Sequence, residues 1–317
     1  MSETVVVCHS FLPDGQLARW QADFPGVVFH DARSPEAFVR HKADATIAFG
    51  LPPFDALAGM TKLRWLQLAS AGVPGALCPL ASERSLRVTN LAGLYGPSIA
   101  EHALGMMLIL SRNLHVAYSQ QAAKIWDQSV NRTMRNLAGS TLGVIGLGNI
   151  GVNIARLGQA MGMRVVGCRR SAKTTPYVDQ VYACSERNRV AAEADVVAVA
   201  APLTRDTDAF LGREFFAAMR PGALIVNVAR GAVIDESALI EALQTGKVGG
   251  AGLDVFAVEP LPAESPLWTL PNVVVSPHYS GDVVNFSTAP ADRFTRNLRN
   301  WLSQRDLEGS VLLDLGY

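Results

Sequence analysis

Several things are scarce in this sequence, and each scarcity removes a class of protein. Only four of the 317 residues are cysteine: Cys8, Cys78, Cys168 and Cys184, with no CxxC spacing among them. That argues against a disulfide framework and for buried or free thiols in a reducing compartment, which places the chain in the cytoplasm. The six histidines are equally scattered, so no clustered zinc ligands are expected and the chain reads as metal-free. Charge of one sign is missing too: 28 basic residues balance 28 acidic ones without a long Lys/Arg run. Nucleic acid and anionic membrane surfaces are therefore not expected as partners. No apolar stretch approaches the roughly 20 residues that span a bilayer. The opening MSETVVVCHS carries an acid and only a brief apolar run, unlike a signal peptide. Internal repeats and low-complexity tracts are absent.

What remains is a globular composition, 49% hydrophobic and 18% charged, long enough for one large or two ordinary domains. Short β-like runs alternate with helical spacing through the first hundred residues. Strands are expected at Val5–Cys8, Val27–His30, Ala45–Phe49 and Leu63–Ala69, and helices at Asp14–Phe24, Pro35–His41 and Phe54–Met60. Such alternation predicts a parallel sheet with helices on both faces. The small-residue stretch Ser70 to Gly75 follows the fourth strand, where ligands of open α/β sheets sit. A loop-like segment then ends at Pro97, where a domain boundary is expected. Beyond it Ser98 and Glu101 make a capping-box pattern ahead of a buried helix carrying Ile99, Ala103, Met106, Met107 and Leu110.

The chain is organised around Thr141–Gly162, TLGVIGLGNIGVNIARLGQAMG. An apolar run, Leu142 to Ile145, breaks into a GxGxxG turn, and helical spacing resumes at Ile150, Ile154, Leu157 and Met161. This context gives the glycines a dinucleotide-binding meaning. Gly146 permits the tight turn, Gly148 lets the backbone approach a pyrophosphate, and Gly151 lets the helix pack against its strand. The helix N-terminus, starting around Asn149 and Ile150, offers free N–H groups to the anion. Further strands are expected at Arg164–Cys168, Val196–Ala200, Leu224–Val228, Ala251–Val255 and Val273–Ser276, and a helix at Asp235–Leu243 closed by Gly246. The tail predicts one more helix, with Phe294, Leu298, Trp301 and Leu302 on its apolar face and Arg293, Arg296 and Arg299 on the solvated side. A short apolar run, Val311–Leu315, follows.

Three polar residues each come just after an apolar strand: Arg230 in LIVNVARGAVIDE, Glu259 in AGLDVFAVEPLP and His278 in VVVSPHYSG. Parallel strands gather their C-terminal ends at one edge, so the three can converge there. A guanidinium forks onto a carboxylate. A histidine exchanges a proton near neutral pH, and a glutamate beside it orients the ring and favours the imidazolium.

From roughly Asn90 to Gly281 the sequence resembles the D-isomer-specific 2-hydroxyacid dehydrogenases. The resemblance is carried by SIAEHALGMMLILSR, GVIGLGNIG, PLTRDT, MRPGALIVNVARGAVIDESAL, GLDVF with EPLP, SPLW, and NVVVSPH with the following Ser280-Gly281. A weaker likeness reaches both termini. It implies an α/β fold of two doubly wound parallel-sheet domains: a flavodoxin-like substrate domain, residues 1–97, onto which 283–317 pack back, and a Rossmann cofactor domain, residues 98–282. It further implies that Arg230 binds the substrate's carboxylate and carbonyl, that His278 donates the proton and that Glu259 pairs with it. The Ala71, Gly72 and Val73 backbone would meet the carboxylate, and Asp254 the carboxamide of a nicotinamide. Pro202, Leu203, Thr204 and Gly281 would line the cofactor cleft, with the reaction enclosed between two closing domains. Two subunits would pair as a homodimer through their cofactor domains.

Two departures from the family pattern matter. Where NAD-preferring folds place an acid about 20 residues past the glycines, this chain has Arg169, Arg170 and Ser171, with Lys173 beyond. Two guanidiniums and a hydroxyl suit a 2′-phosphate, which predicts NADPH/NADP over NADH/NAD. After the histidine, Tyr279 and Asp282-Val283 replace residues more usual in the family, which leaves the substrate's side chain open. The expected reaction is reversible reduction of a small 2-oxoacid, of the glyoxylate or hydroxypyruvate kind, to the D-2-hydroxyacid. Phosphoglycerate dehydrogenase is a rival within the enzymes, although no extra length for an appended regulatory domain is expected; formate dehydrogenase fits less well, because hydride removal from formate does not need a Glu259–His278 acid–base pair. A nucleotide-sensing, corepressor-like module without turnover is the rival outside them.

Overall fold

A computed structural model of the chain describes residues 3–8, 12–74, 76–282 and 288–313. The chain runs through β1 (Glu3–Val7), α1 (Gln16–Asp23), β2 (Val27–Asp31), α2 (Pro35–His41), β3 (Ile47–Phe49) and α3 (Phe54–Leu57). It continues with β4 (Trp65–Gln67), α4 (Leu77–Glu83), β5 (Arg87–Thr89), α5 (Gly96–Ser111), α6 (Leu114–Ala123) and β6 (Thr141–Ile145). Next come α7 (Asn149–Ala160), β7 (Arg164–Arg169), β8 (Gln180–Ala183), α8 (Arg187–Glu193), β9 (Val196–Val199) and α9 (Arg213–Ala218). Last are β10 (Ala223–Asn227), α10 (Glu236–Gln244), β11 (Val248–Leu253), β12 (Val273–Val275) and α11 (Ala289–Leu302). These elements form two compact units, Met1–Leu94 with Val283–Tyr317, and Tyr95–Asp282.

The first unit holds a five-stranded parallel sheet in the order β2-β1-β3-β4-β5, the doubly wound order of flavodoxin-like folds. Alternate residues serve opposite faces, as strand periodicity requires. Val6, Ala48, Leu66 and Val88 pack with Phe38, Leu57 and Leu77 on one side. Val5, Val7, Ile47, Phe49 and Trp65 pack with Trp20, Phe294 and Leu298 on the other. α2 starts where Ser34 accepts a hydrogen bond from the Ala37 N–H with Pro35 in the first turn, a favourable pairing of cap and proline.

The second unit holds a seven-stranded parallel sheet, β12-β11-β10-β9-β6-β7-β8. Six of these strands follow the dinucleotide-binding order 3-2-1-4-5-6, with its reversal between β6 and β9. α5 and α7 cover one face through Met106, Leu110 and Ile154. α8, α9 and α10 cover the other through Val190, Phe215 and Leu239. The expected two-domain α/β architecture is thus what the chain adopts. Among the described residues no helix is long and apolar enough to cross a membrane.

Some local expectations fail, each for a physical reason. α5 begins at Gly96 with Tyr95 as cap, not at Ser98, and no side chain caps it; Pro97 fits the first turn because its missing N–H would be unpaired there anyway. The Ser98 hydroxyl instead donates to the carbonyls of Tyr95 and Gly281 at 3.2 and 3.4 Å. α1 starts two residues later than expected, at Gln16 after Gly15 (φ +71°), and α3 stops at Leu57. Arg293 is not solvated. It lies on the buried face of α11 beside Phe294 and Asn297 and pairs with Glu308 at 3.1 Å, and burial lowers its pKa. Leu302, expected on that apolar face, is exposed. β5 is too short for its periodicity to show. Just before the terminal apolar run Ser310 makes an isolated antiparallel bridge with Thr89, and the Val311 N–H donates to Val88 O. Leu315 lies outside the described residues.

Candidate active site

β6 delivers the chain into the glycine turn, and each glycine there has its own steric reason. Gly146 has φ +97°, and a Cβ on it would stand 2.6 Å from the Ala201 backbone. A Cβ on Gly151 would stand 2.0 Å from Gly146 O, so only glycine lets α7 sit this close. At Gly148 a Cβ would meet nothing within 4 Å, so the space above it is open. α7 makes its first backbone bond from Val152 N–H to Gly148 O, which leaves the N–H groups of Asn149, Ile150 and Gly151 as the helix's free donors. An open approach with three unpaired donors at a helix N-terminus fits a pyrophosphate. The turn is pinned from behind by Cys168, whose carbonyl accepts the N–H groups of Gly146 and Leu147 at 3.0 and 3.2 Å.

β7 ends at Arg169, directly beyond that carbonyl. Arg169 is half-buried and donates to Thr175 Oγ1 at 3.4 Å, while Arg170, Ser171 and Lys173 are exposed. No acid occurs from 169 to 174. After β9, Thr207 Oγ1 donates to Pro202 O at 2.6 Å and accepts the Thr204 N–H at 2.7 Å. This ties the Pro202–Thr204 bend into a fixed shape with Pro202 and Leu203 exposed. Gly281 lies against the Tyr95 ring, where a Cβ would come within 3.0 Å.

The three chemistry-bearing residues leave three neighbouring strands. β10, β11 and β12 are adjacent and parallel, and Asn227, Leu253 and Val275 lie in register at their ends. Arg230 therefore emerges beside the segment carrying Asp254 and Glu259, which in turn neighbours the loop of His278. Close approach supports this: a Cβ on Gly231 would stand 1.8 Å from the Phe256 carbonyl carbon. Arg230 Nη1 donates to Ala229 O at 2.6 Å. Its other guanidinium donors have no protein partner among the described residues, so part of the fork stays available to an anion. Asn227 shapes this turn, accepting the Ala229 N–H and donating to Arg230 O.

Glu259 and His278 meet directly, with Nδ1 2.7 Å from Oε2. A carboxylate can only accept, which assigns a proton to Nδ1 and leaves Nε2 as the exchangeable end. Glu259 Oε1 accepts the Phe256 N–H at 3.0 Å, so the orienting residue is itself held. His278 has φ +53°, a left-handed conformation that a residue with a Cβ adopts only when its surroundings enforce it. Asp254 enforces it. Its carbonyl accepts the His278 N–H at 2.9 Å. Its buried carboxylate accepts the Ser276 hydroxyl at 2.6 Å and the Tyr279 and Ser280 N–H groups at 3.2 and 3.1 Å.

That arrangement gives Asp254 a visible structural task besides the nicotinamide contact expected of it. It also reveals two contributors that strand-end reasoning passed over. His102, on α5, reaches Ser276 Oγ through Nε2 at 2.9 Å and meets the Tyr279 ring edge-on at 5.6 Å. Ser276 gives its single proton to Asp254, so His102 donates from Nε2. A lone histidine in a mostly apolar helix is the available signal. Ala71, Gly72 and Val73 lie in the first unit, in the loop after β4. There Ser70 Oγ donates to Gly72 O at 2.8 Å and Asn90 Nδ2 to Ala71 O at 2.8 Å. Of the residues after the histidine, Tyr279 is exposed and Val283 lies outside the described residues. No group of three or more His, Cys, Asp and Glu side chains that could hold a metal ion occurs among the described residues.

Comparison with known proteins places these motifs in context. Residues 104–280 match the family model described as D-isomer specific 2-hydroxyacid dehydrogenase, NAD binding domain. The chain is 37% identical over 231 residues to D-3-phosphoglycerate dehydrogenase of Methanocaldococcus jannaschii, covering 71% of this chain but only 43% of that protein. It is 35% identical over 241 residues to hydroxypyruvate reductase of Thermotoga maritima, covering 75% of this chain and 76% of the relative. Among solved structures, a D-isomer specific 2-hydroxyacid dehydrogenase from Xanthobacter autotrophicus Py2, in complex with NADPH and MES, superposes with a TM-score of 0.85 at 29% identity. That match covers 100% of both chains.

Proposed function

The chain belongs to the D-isomer specific 2-hydroxyacid dehydrogenases, and on that premise we propose that it reduces a small 2-oxoacid of the glyoxylate or hydroxypyruvate kind to the D-2-hydroxyacid, reversibly and with NADPH. The observation that carries the reading is the 2.7 Å Glu259–His278 pair on the same sheet rim as a partly free Arg230 fork. Arg230 holds the carboxylate and the carbonyl oxygen of the 2-oxoacid, fixing which face of the carbonyl is presented. The backbone of Ala71–Val73 is assigned as a further ligand of the carboxylate. A reduced nicotinamide, when bound, would supply the hydride for the carbonyl carbon. His278 gives the Nε2 proton to the oxygen as negative charge develops there, and Glu259 keeps the ring aimed. Gly146, Gly148 and Gly151, with the free N–H groups of Asn149 and Ile150, hold the pyrophosphate. Pro202, Thr204 and Gly281 flank the nicotinamide side, with Asp254 as its carboxamide acceptor.

Preference for NADPH over NADH rests on Arg169, Arg170 and Ser171 standing where an acid would exclude a 2′-phosphate. The NADPH complex of the Xanthobacter relative agrees with it. The test is a panel of 2-oxoacids assayed by nicotinamide absorbance with each cofactor. Turnover of short 2-oxoacids with a higher kcat/KM for NADPH supports the proposal. A clear NADH preference overturns the cofactor assignment, and binding without oxidation across the panel favours a nucleotide sensor. Exclusive oxidation of D-3-phosphoglycerate would favour the phosphoglycerate dehydrogenase reading that the Methanocaldococcus relative suggests.

We also infer a cytoplasmic homodimer. α6 buries none of its residues within the chain, and Tyr118 and the following Trp126 are 75% and 92% exposed, an apolar surface that suits a second copy. Sedimentation giving a monomer at micromolar concentration contradicts the dimer, and recovery outside the cytoplasm on cell fractionation contradicts the location.

A further inference from the structure

Nothing in the reaction above uses a thiol, yet the second unit holds two that face each other. Cys168 Sγ and Cys184 Sγ are 3.7 Å apart. The pairing of β7 with β8 sets Cys168 opposite Tyr182, and Cys184 follows two residues on, immediately past β8, so the two side chains share a face of the sheet. Cys168 is buried and Cys184 half-buried. The other two cysteines, Cys8 and Cys78, lie in the first unit and serve as internal controls.

We propose that Cys168 and Cys184 form an oxidant-sensitive dithiol, which a peroxide converts to a disulfide, and that closing it weakens cofactor binding at the glycine turn. The second half rests on the NADPH reading above. The asymmetry of the pair assigns the roles. Contact with the Cys168 thiol holds Cys184 below the ordinary thiol range, against its burial and aided by the Arg187 guanidinium. Cys168 is pushed up by the same contact and by its burial. Cys184, the more acidic and the more accessible, attacks first. Its thiolate takes one oxygen of the peroxide and the O–O bond breaks. Sulfur is oxidised to the sulfenic acid, and the departing hydroxide gains a proton and leaves as water. Cys168 sulfur then attacks Cys184 sulfur, the S–O bond breaks, and the second hydroxide takes the Cys168 proton. Two thiols and one peroxide become one disulfide and two waters.

Closure draws the sulfurs from 3.7 Å to about 2.05 Å, a contraction that the two backbones must absorb. The Cys168 backbone is not free to move alone. Its carbonyl holds the N–H groups of Gly146 and Leu147, and its next residue, Arg169, opens the basic loop. One displacement therefore reaches both the pyrophosphate turn and the proposed 2′-phosphate ligands.

The experiment treats the full-length protein with stoichiometric hydrogen peroxide and follows mass, linkage, NADPH affinity and amide exchange. The expected result is loss of two hydrogens with a Cys168–Cys184 linked peptide, reversed by dithiothreitol. NADPH Kd should rise about tenfold, the equivalent of one lost charge-assisted contact, with faster exchange over residues 144–152. Cys184→Ser should keep its NADPH affinity under peroxide, and Cys168→Ser should trap a sulfenic acid on Cys184. Sulfinic acid on Cys184 without a crosslink, or a crosslink through Cys8 or Cys78, overturns the dithiol. A Cys168–Cys184 crosslink that leaves exchange over 144–152 unchanged overturns the coupling. If the reduced protein binds no NADPH, the cofactor reading fails, while linkage and exchange still decide this proposal.

Discussion

The two units share one architecture and spend their polar residues differently. In the first, the polar side chains near the strand ends are consumed by one another. Trp65 Nε1 donates to Thr89 Oγ1, Thr89 donates to Gln67 Oε1, and Asn297 Nδ2 donates to the same oxygen, all within 3.0 Å and buried. In the second, the residues beyond β10 to β12 keep unsatisfied capacity. Among the described residues Arg230 keeps guanidinium donors without a protein partner, and His278 Nε2 is likewise without one. Buried polar groups satisfied internally give a unit rigidity; groups held in place but left open are available to a ligand. The difference sets an open polar rim in the second unit against a closed polar interior in the first that serves stability.

Substitutions test that division. The largest effect is expected from His278→Ala, which should lower kcat about a thousandfold, as loss of a general acid does. NADPH Kd and melting temperature should hardly change; an equal fall in all three would erase the distinction between site and scaffold. Phe294→Ala should do the reverse. This ring is fully buried and stacks on Phe49 and Trp65, so its removal should cost about 3–5 kcal/mol of first-unit stability. Thermal unfolding would show it, with NADPH Kd of the folded protein intact; unchanged stability would contradict the scaffold role. Within the second unit, replacing both Arg169 and Arg170 with Ala should raise KM for NADPH about tenfold or more, from lost charge-assisted bonds. KM for NADH should stay put, and equal losses for both cofactors would remove the 2′-phosphate assignment.

The smallest effect belongs to Glu3. Burial raises its pKa, but hydrogen bonds from Thr46, Trp301 and Arg64, with the Arg64 charge, outweigh it and bring the carboxyl below the usual 4.5. A folded-state pKa below the unfolded one adds stability that is complete above the unfolded value and is lost as pH falls through the folded value. Glu3→Gln should therefore cost about 1 kcal/mol near neutral pH, and the gap in melting temperature between variant and parent should close as pH drops below 4.5. A gap independent of pH would mean that Glu3 acts by shape alone.

Much of this is legible in the sequence alone. The glycines, the basic stretch after β7 and the three strand-end residues could be read because a parallel sheet turns position along a strand into position in space. Boundaries were less legible. Ser98 looked like a cap until Gly96 and Pro97 proved able to begin α5. Arg293 looked solvated, because a helical wheel cannot show that Glu308 waits across the buried face.

The residues and their order, by themselves, determined the two α/β units, the glycine-rich turn and the placement of Arg230, Glu259 and His278 just past strands, because each follows from local periodicity and from what one side chain can do. Only the tertiary structure decided which of these groups are held and which are left open. The left-handed His278 backbone depends on Asp254, Asp254 on Ser276 and Ser276 on His102. The Cys168–Cys184 approach depends on the register of two strands. Hydrogen bonds and sulfur contacts between segments distant in sequence act over a few ångströms, a scale that only the packed chain sets.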